Sequence, residues 1–262
     1  MARNTTLGVI TVATNRYVDF WADQARSFAA NPSHDLDITL HVFTDQPNVA
    51  ESVASTIPIS VVVHEIPDYK WPHASLYRFK LIDEFKENLT EDFLMHLDAD
   101  MLVKAPITSS QLSNPLVNGI CLVRHPGYFR PSGLSRLFFY FRNPMSAIGD
   151  LVTLLREGSL GAWETNRRSL AFVPKKDRKE YFCGATWWGL RADILRLSGT
   201  LSSRISEDED NNVTAVWHDE SHLNWWASNN NHGQVDSRFC FSVGYPQLEG
   251  IPNIIEAVDK RP

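Results

Sequence analysis

The chain has 262 residues, of which 43% are hydrophobic and 21% are charged, so it is long enough and apolar enough to bury a substantial core. This composition excludes a disordered chain, a collagen and a small disulfide-rich scaffold. The chain has 25 Lys and Arg and 31 Asp and Glu, so its formal net charge is -6. This charge argues against a general attraction to nucleic acid or to an anionic membrane.

The cysteines and the first residues of the chain predict its compartment. Cys121, Cys183 and Cys240 form no CxxC pair, and their odd count is typical of buried free thiols in a reducing compartment. Residues 1–6 are polar and lack the regions of a signal peptide, and no run of about 18 apolar residues occurs. From the sequence we therefore expect no membrane span and a cytoplasmic location.

The first part of the chain alternates apolar runs with amphipathic stretches. Strands are predicted at residues 7–14, 38–43, 59–66 and 93–97, and helices at residues 17–30 and 76–85. This alternation predicts an α/β fold with a mainly parallel sheet. In such sheets ligands bind beyond the carboxyl ends of the strands.

The middle of the chain, residues 129–179, is less regular. It contains an aromatic run at 138–141, a helical pattern at 148–156 and a strongly basic stretch at 167–179. We interpret it as an inserted subdomain or lid. The acidic segment 207–212 is predicted to be a solvated loop rather than a calcium site.

Two acidic residues, Asp98 and Asp100, directly follow the predicted strand at 93–97. Their carboxylates are hard oxygen ligands that suit Mg²⁺ or Mn²⁺ bridging a substrate diphosphate. The DxD tripeptide is common in proteins, so its place at the end of a buried strand is what supports a site here.

The motif WHDESHLN packs two imidazoles, two carboxylates and an amide into eight positions. On a helix His218 and His222 would share one face, which invites a zinc site, but the metalloprotease motif needs Glu directly after the first His and Asp219 stands there. The alternative is a helix start that is capped by Asp219 or Ser221 and carries Glu220 in its first turn.

A further pair of alternatives concerns Trp71, Pro72 and Arg78. They are either a loop anchor with a surface cation, or a flexible aromatic flap with an arginine that reaches a phosphate or a sugar.

In their order along the chain these motifs resemble glycosyltransferase family 6, the retaining α1,3-galactosyl- and N-acetylgalactosaminyltransferases that include the blood-group A and B enzymes. The most specific of them is WHDESHLN. The matching positions are residues 13–17, 70–72, Arg78, the DxD at Asp98, 125–128, 172–174, 181–189 and 217–224.

The resemblance implies a GT-A fold in a single catalytic domain over residues 1–262. A nucleotide-binding lobe would occupy 1–104, and an acceptor-binding lobe 105–262, with an insertion near 130–160 relative to the animal enzymes. Many bacterial members replace DxD with an uncharged NxN. Because this chain keeps both acids, we expect a soluble, metal-dependent member of bacterial or phage type.

On the donor side the resemblance implies a UDP-sugar site made of Val12, Ala13, Tyr17, Trp71, Arg78, Asp98 and Asp100. Tyr17 would stack on uracil. Asp98 would contact ribose and the donor sugar, and with Asp100 would hold Mn²⁺ or Mg²⁺. Arg78 would lie beside the diphosphate, and Trp71 on a loop that closes over the donor, together with a C-terminal tail at 259–262.

On the side of the transferred and accepting sugars the resemblance implies His125, Gly184, Ala185, Thr186, Trp217, Asp219 and Glu220. His125 and Trp217 would contact a galactoside. Asp219 would hold hydroxyls of the transferred sugar, and Glu220 would face the anomeric carbon as the catalytic residue.

Residues 184–186 match the segment that separates donor sugars in the family. Gly184 is small where galactose-specific relatives have a large residue, which favours UDP-GalNAc over UDP-galactose. Thr186 replaces a Gly or Ala and is expected to narrow the pocket near the second carbon of the sugar.

The resulting expectation is a retaining enzyme that transfers GalNAc or galactose to the 3-hydroxyl of a galactoside or oligosaccharide, with no nucleic-acid partner. Three alternatives remain at this point. They are a non-catalytic sugar-nucleotide- or glycan-binding relative, a UDP-sugar hydrolase, and a metal-dependent hydrolase built on His218 and His222.

Overall fold

The structure of the chain, a computed structural model, describes residues 4–258. Its strands are β1 (Thr5–Val12), β2 (Leu36–Thr44), β3 (Ser60–Glu65), β4 (Phe93–Leu97), β5 (Met101–Val103), β6 (Ile120–Arg124), β7 (Phe182–Leu190), β8 (Gly233–Val235) and β9 (Ile255–Ala257). Its α-helices are α1 (Tyr17–Ala30), α2 (Pro47–Ala54), α3 (His73–Leu76), α4 (Arg78–Glu84), α5 (Ser109–Ser113), α6 (Leu134–Arg142), α7 (Pro144–Glu157), α8 (Arg191–Asp210) and α9 (His218–Asn229).

A seven-stranded sheet in the order β3-β2-β1-β4-β7-β6-β8 runs through the described residues. Neighbouring strands are parallel from β3 to β4 and again between β6 and β8, whereas β7 is antiparallel to both β4 and β6. This arrangement confirms the predicted α/β class with a mainly parallel sheet and is consistent with a GT-A fold. The sheet takes strands from both sides of residue 104, so the two predicted lobes share it.

Apolar side chains cover both faces of this sheet. Trp187 and Trp188 are neighbours on β7, and since successive strand residues point to opposite faces, each is completely buried in a different cluster. Trp188 shares its cluster with Trp21 of α1, and Trp187 stacks on Phe79 of α4 with ring centroids 5.4 Å apart. Burial on both faces explains the continuous apolar run of β4.

One edge of the sheet collects the motifs that the sequence singled out. The carboxyl ends of β1 and β4 lie side by side because these strands are parallel neighbours. The antiparallel β7 brings its amino end to the same edge, where Thr186 pairs with Leu97 and the Asp98 N–H donates to the Ala185 carbonyl over 3.0 Å. The DxD and the segment 184–186 are therefore in contact.

The predicted helix at residues 76–85 is interrupted. α3 ends at Leu76 and α4 begins at Arg78, with Tyr77 between them outside helical geometry. Arg78, the first residue of α4, is buried, which the helical pattern did not predict.

The acidic segment 207–212 is not the solvated loop that the sequence predicted. Residues 207–210 form the last turn of α8, and Asp208 is 2% exposed. Its carboxylate accepts hydrogen bonds from Ser169 Oγ over 2.7 Å and from Leu170 N over 2.8 Å. The local sequence could not predict these hydrogen-bond donors, because Ser169 and Leu170 lie about 40 residues away in the chain.

Residues 129–179, interpreted above as an inserted subdomain or lid, contain two consecutive helices, which we name the α6–α7 hairpin. Pro144 begins α7, a position where proline loses no hydrogen bond, and Gly158 ends it in the left-handed conformation at φ of 83°. The basic stretch 167–179 forms turns and the short 3-10 helix Lys175–Asp177.

Three remaining expectations have different outcomes. Cys121, Cys183 and Cys240 are buried and free, as predicted. Within residues 4–258 no helix combines the length and the apolar character needed to cross a membrane. The predicted closing tail at 259–262 lies outside the described residues.

Candidate active site

Two cavities meet at the sheet edge that carries the DxD. The β1-side cavity has a volume of about 380 Å³, and its lining includes Val12, Tyr17, Trp71, Arg78, Asp98 and Asp100. The α9-side cavity has a volume of about 390 Å³, and its lining includes Arg78, Asp98, His125, Gly184, Ala185, Trp217, Asp219 and Glu220. Because Arg78 and Asp98 line both, the two cavities adjoin at this pair of charges.

Arg78 is the charged centre of the junction and is 5% exposed. Its Nη2 lies 3.0 Å from Asp98 Oδ1, and its Nη1 lies 3.2 Å from Asp219 Oδ2. Nη1 also donates to the Gly184 carbonyl over 2.8 Å, and Nε donates to the Ser75 carbonyl over 3.0 Å. One guanidinium thus fixes α4, the DxD segment, β7 and α9 relative to one another.

The surroundings keep Arg78 charged and His96 neutral. Burial by itself lowers the pKa of Arg78, but the carboxylates of Asp219 and Asp98 outweigh it, so this pKa is raised. His96 Nε2 lies 2.7 Å from Arg78 Nη1, and burial together with the charge of Arg78 lowers the pKa of His96 to about 4. A neutral His96 accepts a hydrogen bond from Arg78 and adds no second positive charge.

Asp219 and Glu220 lie in the first turn of α9. The backbone N–H of Gly184 donates to Glu220 Oε2 over 2.8 Å. Asn224 fixes α9 against β7, because its side chain accepts from Phe182 N over 2.8 Å and donates to Phe182 O over 2.9 Å. The Glu220 carboxylate is therefore held in one place before any ligand binds.

Both carboxyl groups of this turn resist ionisation. Burial raises the pKa of Asp219 to about 7, although the charge of Arg78 acts in the opposite direction. Burial also raises the pKa of Glu220 to about 7, against hydrogen bonds from the Gly184 N–H and the Tyr181 hydroxyl, which lower it. Two carboxyls that titrate near neutrality in one cleft, Asp219 buried and Glu220 partly buried, are typical of a catalytic site.

Gly184 is a position of the site where a side chain would be crowded. A Cβ at Gly184 would meet Asp219 Oδ2 at 3.0 Å and Glu220 Cβ at 3.2 Å. Ala185 lines the α9-side cavity beside it. Thr186 is completely buried and lines neither cavity, so the structure does not bring it to the place expected from the sequence.

Asp98 and Asp100 both line the β1-side cavity. Asp98 Oδ1 lies 3.0 Å from Arg78 Nη2 and 3.1 Å from His96 Nε2. The pair offers carboxylate oxygens, which Mg²⁺ and Mn²⁺ prefer. Among residues 4–258 no group of three or more His, Cys, Asp or Glu could hold an ion. A cation held by these two carboxylates would need its other ligands from a bound substrate and water.

The other residues expected on the donor side divide into two groups. Val12 and Tyr17 line the β1-side cavity, whereas Ala13 is completely buried behind it. Trp71 lines the same cavity but is 76% exposed, and its ring packs edge-on against the ring of His218 with centroids 5.0 Å apart. The loop that carries Trp71 therefore touches α9 across the junction of the cavities.

His125 and Trp217 line the α9-side cavity, where a galactoside was expected. Burial lowers the pKa of His125 to about 4, so its ring is neutral at neutral pH. Its Nδ1 accepts a hydrogen bond from Gly127 N over 3.1 Å, which leaves the ring proton on Nε2.

The structure does not bring His218 and His222 together in a metal site. His218 Nδ1 lies 3.1 Å from the Ala215 carbonyl, and His222 is 1% exposed with Nε2 3.5 Å from Asp208 Oδ2. α9 begins at His218 and carries Glu220 in its first turn, as the alternative of a helix start predicts, but the N-cap is Trp217 and not Asp219 or Ser221.

Three residues of the site escaped the sequence analysis. His96 carried a signal, since it is a polar residue in an otherwise apolar buried strand. The local sequence around Asn224 gave no signal of its role, because its hydrogen-bond partner Phe182 is 42 residues away. Tyr181, whose hydroxyl acts on Glu220, is likewise identified only by the fold.

Replacing Arg78 with Lys should destabilise the protein by about 1–2 kcal/mol, because one ammonium cannot bridge Asp98, Asp219 and the Gly184 carbonyl together. Urea unfolding followed by circular dichroism measures the difference. The control is Arg26→Lys, at an exposed pair with Asp23, which should change stability by no more than about 0.5 kcal/mol. Equal stability of the two variants would contradict the central role of Arg78.

Comparison with known proteins identifies one family and several relatives. The sequence model of glycosyltransferase family 6 matches residues 1–149 and 157–244. Histo-blood group ABO system transferase 1 of Rattus norvegicus is 26% identical over 226 residues, which are 85% of this chain and 56% of that protein. Globoside alpha-1,3-N-acetylgalactosaminyltransferase 1 of Gallus gallus is 25% identical over 228 residues, 86% of this chain and 58% of that protein.

The human globoside enzyme gives a similar result, with 26% identity over 231 residues, 84% of this chain and 56% of that protein. The chain thus spans little more than half the length of these relatives. The family match covers nearly all of the described residues, including every lining residue of the two cavities except Tyr245, and its interruption at 150–156 falls within α7. The chain therefore belongs to glycosyltransferase family 6.

Proposed function

We propose that the protein is a retaining glycosyltransferase that moves GalNAc or galactose from a UDP-sugar to the 3-hydroxyl of a galactoside and forms an α1,3 linkage. The observation that carries the proposal is the Glu220 carboxylate, held by the Gly184 N–H in the α9-side cavity. The matched relatives support the sugar and the linkage, since they are by name a histo-blood group transferase and an alpha-1,3-N-acetylgalactosaminyltransferase.

The β1-side cavity takes the nucleotide in this proposal. Tyr17 stacks on the uracil, and Arg78 lies between this cavity and the reacting sugar. Residues 1–104 supply this nucleotide-binding part, and 105–258 supply most of the acceptor-binding part. Asp98 and Asp100 would hold Mn²⁺ or Mg²⁺, which neutralises charge on the diphosphate when it is bound.

The α9-side cavity takes the transferred sugar and the acceptor. Asp219 holds hydroxyls of the transferred sugar, while the neutral His125 and the half-exposed Trp217 contact the galactoside. A neutral imidazole and an indole suit an uncharged sugar, because one offers a hydrogen bond and the other an apolar face.

Glu220 acts on the anomeric carbon. Its carboxylate either attacks this carbon to form a glycosyl-enzyme or stabilises the positive charge of an oxocarbenium-like transition state during front-face transfer. Either route breaks the bond between the sugar and UDP and transfers the sugar to the acceptor oxygen, whose proton passes to the departing diphosphate. Both routes retain the configuration of the donor, and both require an ionised Glu220.

The rate of transfer should therefore increase with pH through about 7, where the pKa of Glu220 and Asp219 lies. Below this pH the buried carboxyl is protonated and can neither attack nor stabilise a cation. A Tyr181→Phe variant removes a hydrogen bond that lowers the pKa of Glu220, so its profile should move to higher pH. Initial rates at saturating donor test both points, and a flat profile between about pH 5.5 and 8.5 would contradict them.

The donor preference should favour UDP-GalNAc. This expectation comes from the resemblance, because Gly184 is small where galactose-specific relatives of the family have a large residue, and it lies beside Asp219 and Glu220 in the α9-side cavity. Gly184→Ala should reduce GalNAc transfer, whereas the control Gly199→Ala on α8 meets only ordinary contacts, the nearest at 3.7 Å from Asp83. The test is to measure kcat/KM with UDP-GalNAc and with UDP-galactose. A value that is roughly tenfold higher with UDP-galactose, about 1.4 kcal/mol, would reverse the assignment.

The decisive experiment is a donor-by-acceptor screen with mass-spectrometric detection of product. The proposal expects UDP release with Mn²⁺ that rises when a galactoside is added. A rate of UDP release that does not change when the galactoside is added would identify a UDP-sugar hydrolase. Binding of UDP-sugar with no release under any condition would identify a non-catalytic relative.

A further inference from the structure

The α6–α7 hairpin exposes an apolar surface that the proposed reaction does not use. More than half of the large apolar side chains that are strongly exposed among residues 4–258 lie on these two helices. Phe141 is 86% exposed, and Met145 and Leu155 are each 77% exposed. Exposed apolar surface of this extent marks a binding surface in soluble domains.

The exposed side chains are ordered in stripes. On α6 they are Leu134, Leu137, Phe138 and Phe141, and on α7 they are Met145, Ile148, Leu151, Val152, Leu154 and Leu155. Their spacing of three and four residues puts each set on one face of its helix. We name these two stripes together the outward face of the hairpin.

The two acidic side chains of the hairpin point the other way, into the protein. Asp150 is 6% exposed and accepts two hydrogen bonds from Arg130, each of 2.6 Å. Glu157, 7% exposed, accepts from Arg178 Nη1 over 2.7 Å. Paired charges that attach the helices to the domain, with apolar residues turned to the solvent, are the reverse of an ordinary surface helix.

The charges around the outward face are predominantly positive. Arg136, Arg142 and Arg156 are exposed on the hairpin, while its two acidic side chains are the buried ones just described. Lys175 and Lys176 are exposed beside the end of α7, where Gly158 lies against the Lys175 backbone.

Nearby carboxylates offset these charges only in part. Glu249 lies 3.7 Å from Arg142, Glu180 pairs with Arg124 at 2.8 Å, and Asp177 is exposed between the lysines. The net charge of -6 is a sum over the whole chain and does not describe this surface.

We propose that the outward face of the α6–α7 hairpin binds the surface of an anionic lipid bilayer. The apolar stripes would enter the boundary between headgroups and acyl chains, and the surrounding arginines and lysines would contact the anionic headgroups. A second copy of the chain fits less well, because a symmetric pairing of outward faces would bring Arg136, Arg142 and Arg156 towards their own copies with no exposed carboxylate of the hairpin to receive them.

Membrane binding would also orient the site. Arg130 of this region donates to the Gly127 carbonyl over 3.0 Å, and Phe129 N donates to the His125 carbonyl over 2.8 Å. The hairpin is thereby joined to the lining of the α9-side cavity. The orientation of the active site relative to the bilayer rests on the proposed function. The binding of the outward face to the bilayer does not.

The test is co-sedimentation of the protein with vesicles of phosphatidylcholine and with vesicles that also contain about 30% phosphatidylglycerol. We expect at least ~10-fold tighter binding to the anionic vesicles, since each arginine near such a surface strengthens binding by roughly fivefold, and weaker binding at high salt. No donor or acceptor is present, so failure of the proposed reaction does not affect the result.

Two variants and one control identify the surface. Phe141→Ser combined with Leu155→Ser should reduce binding by at least ~10-fold. Changing Arg136, Arg142 and Arg156 to Gln should remove the preference for anionic vesicles. The control Val243→Ser changes a side chain that is 66% exposed outside the hairpin and should bind like the unchanged protein. Circular dichroism verifies that each variant is folded.

The opposite results overturn the proposal. These are absence of binding to either vesicle, or equal binding by the Phe141 and Leu155 double variant. A concentration-dependent dimer in light scattering that this double variant dissociates, without vesicle binding, would identify a second copy as the occupant. Transfer to a water-soluble galactoside should be equal in the double variant and the unchanged protein, which separates this test from that of the proposed function.

Discussion

Replacing Glu220 with Gln should lower kcat by at least ~10³-fold, on the order of 4 kcal/mol of transition-state stabilisation. Gln keeps the shape of the side chain but removes the negative charge that the anomeric carbon requires. The affinity for the donor should change little, since in the proposed complex Tyr17, Arg78 and the DxD of the β1-side cavity would hold the uridine and the diphosphate. Steady-state kinetics with a galactoside acceptor measures both quantities.

The same substitution should stabilise the ligand-free protein at high pH. The pKa of Glu220 is raised to about 7 in the folded protein, so its carboxyl contributes stability at low pH that is lost as pH rises through that value. Gln does not ionise, and the variant should therefore gain stability over the unchanged protein as pH rises from about 4.5 to 7.

Glu249→Gln is the matched control, because its side chain is 70% exposed and lies outside both cavities. It should leave kcat and the pH dependence of stability unchanged. More than about a tenth of the original kcat in Glu220→Gln, or a β-linked product by NMR from the α-linked donor, would contradict the role given to Glu220 in a retaining reaction.

Replacing Asp100 with Asn should lower kcat by at least ~10³-fold, and excess EDTA should do the same to the unchanged protein. The diphosphate gains charge as its bond to the sugar breaks, and an amide is a much weaker ligand than a carboxylate for the cation that neutralises it. Added Mn²⁺ should restore the EDTA-treated protein but not the variant.

A second measurement separates binding of the cation from activity. Electron paramagnetic resonance of Mn²⁺ in the presence of UDP should show bound ion with the unchanged protein and much less with Asp100→Asn. Asp23→Asn, at an exposed surface pair with Arg26, serves as the control and should behave like the unchanged protein. Full activity in excess EDTA would remove the cation from the reaction.

Several elements could be predicted from the sequence because their signals are local. The apolar run at 93–97 is β4, and the amphipathic pattern at 17–30 is α1. The position of Asp98 and Asp100 at the sheet edge followed from a general rule, that sites lie beyond the carboxyl ends of parallel strands. The order of the motifs along the chain also predicted membership of glycosyltransferase family 6, which the comparisons confirm.

The errors have one physical cause, which is the lack of tertiary partners in a local pattern. The acidic sequence of residues 207–210 predicts exposure to solvent. Asp208 is nevertheless buried, where its carboxylate accepts hydrogen bonds from Ser169 and Leu170. Thr186 stands next to two cavity residues in sequence, yet it pairs with Leu97 inside the sheet and is completely buried.

The amino-acid sequence by itself determined the α/β class, the family and the list of residue types that the chemistry needs, since periodicity and motif order are properties of the chain. Only the tertiary structure decided how those residues act. It buries Arg78 between Asp98 and Asp219, places the Gly184 N–H on Glu220 and turns the apolar stripes of the α6–α7 hairpin outward. Burial, and with it each raised or lowered pKa, depends on contacts between segments far apart in the chain, which no local pattern contains.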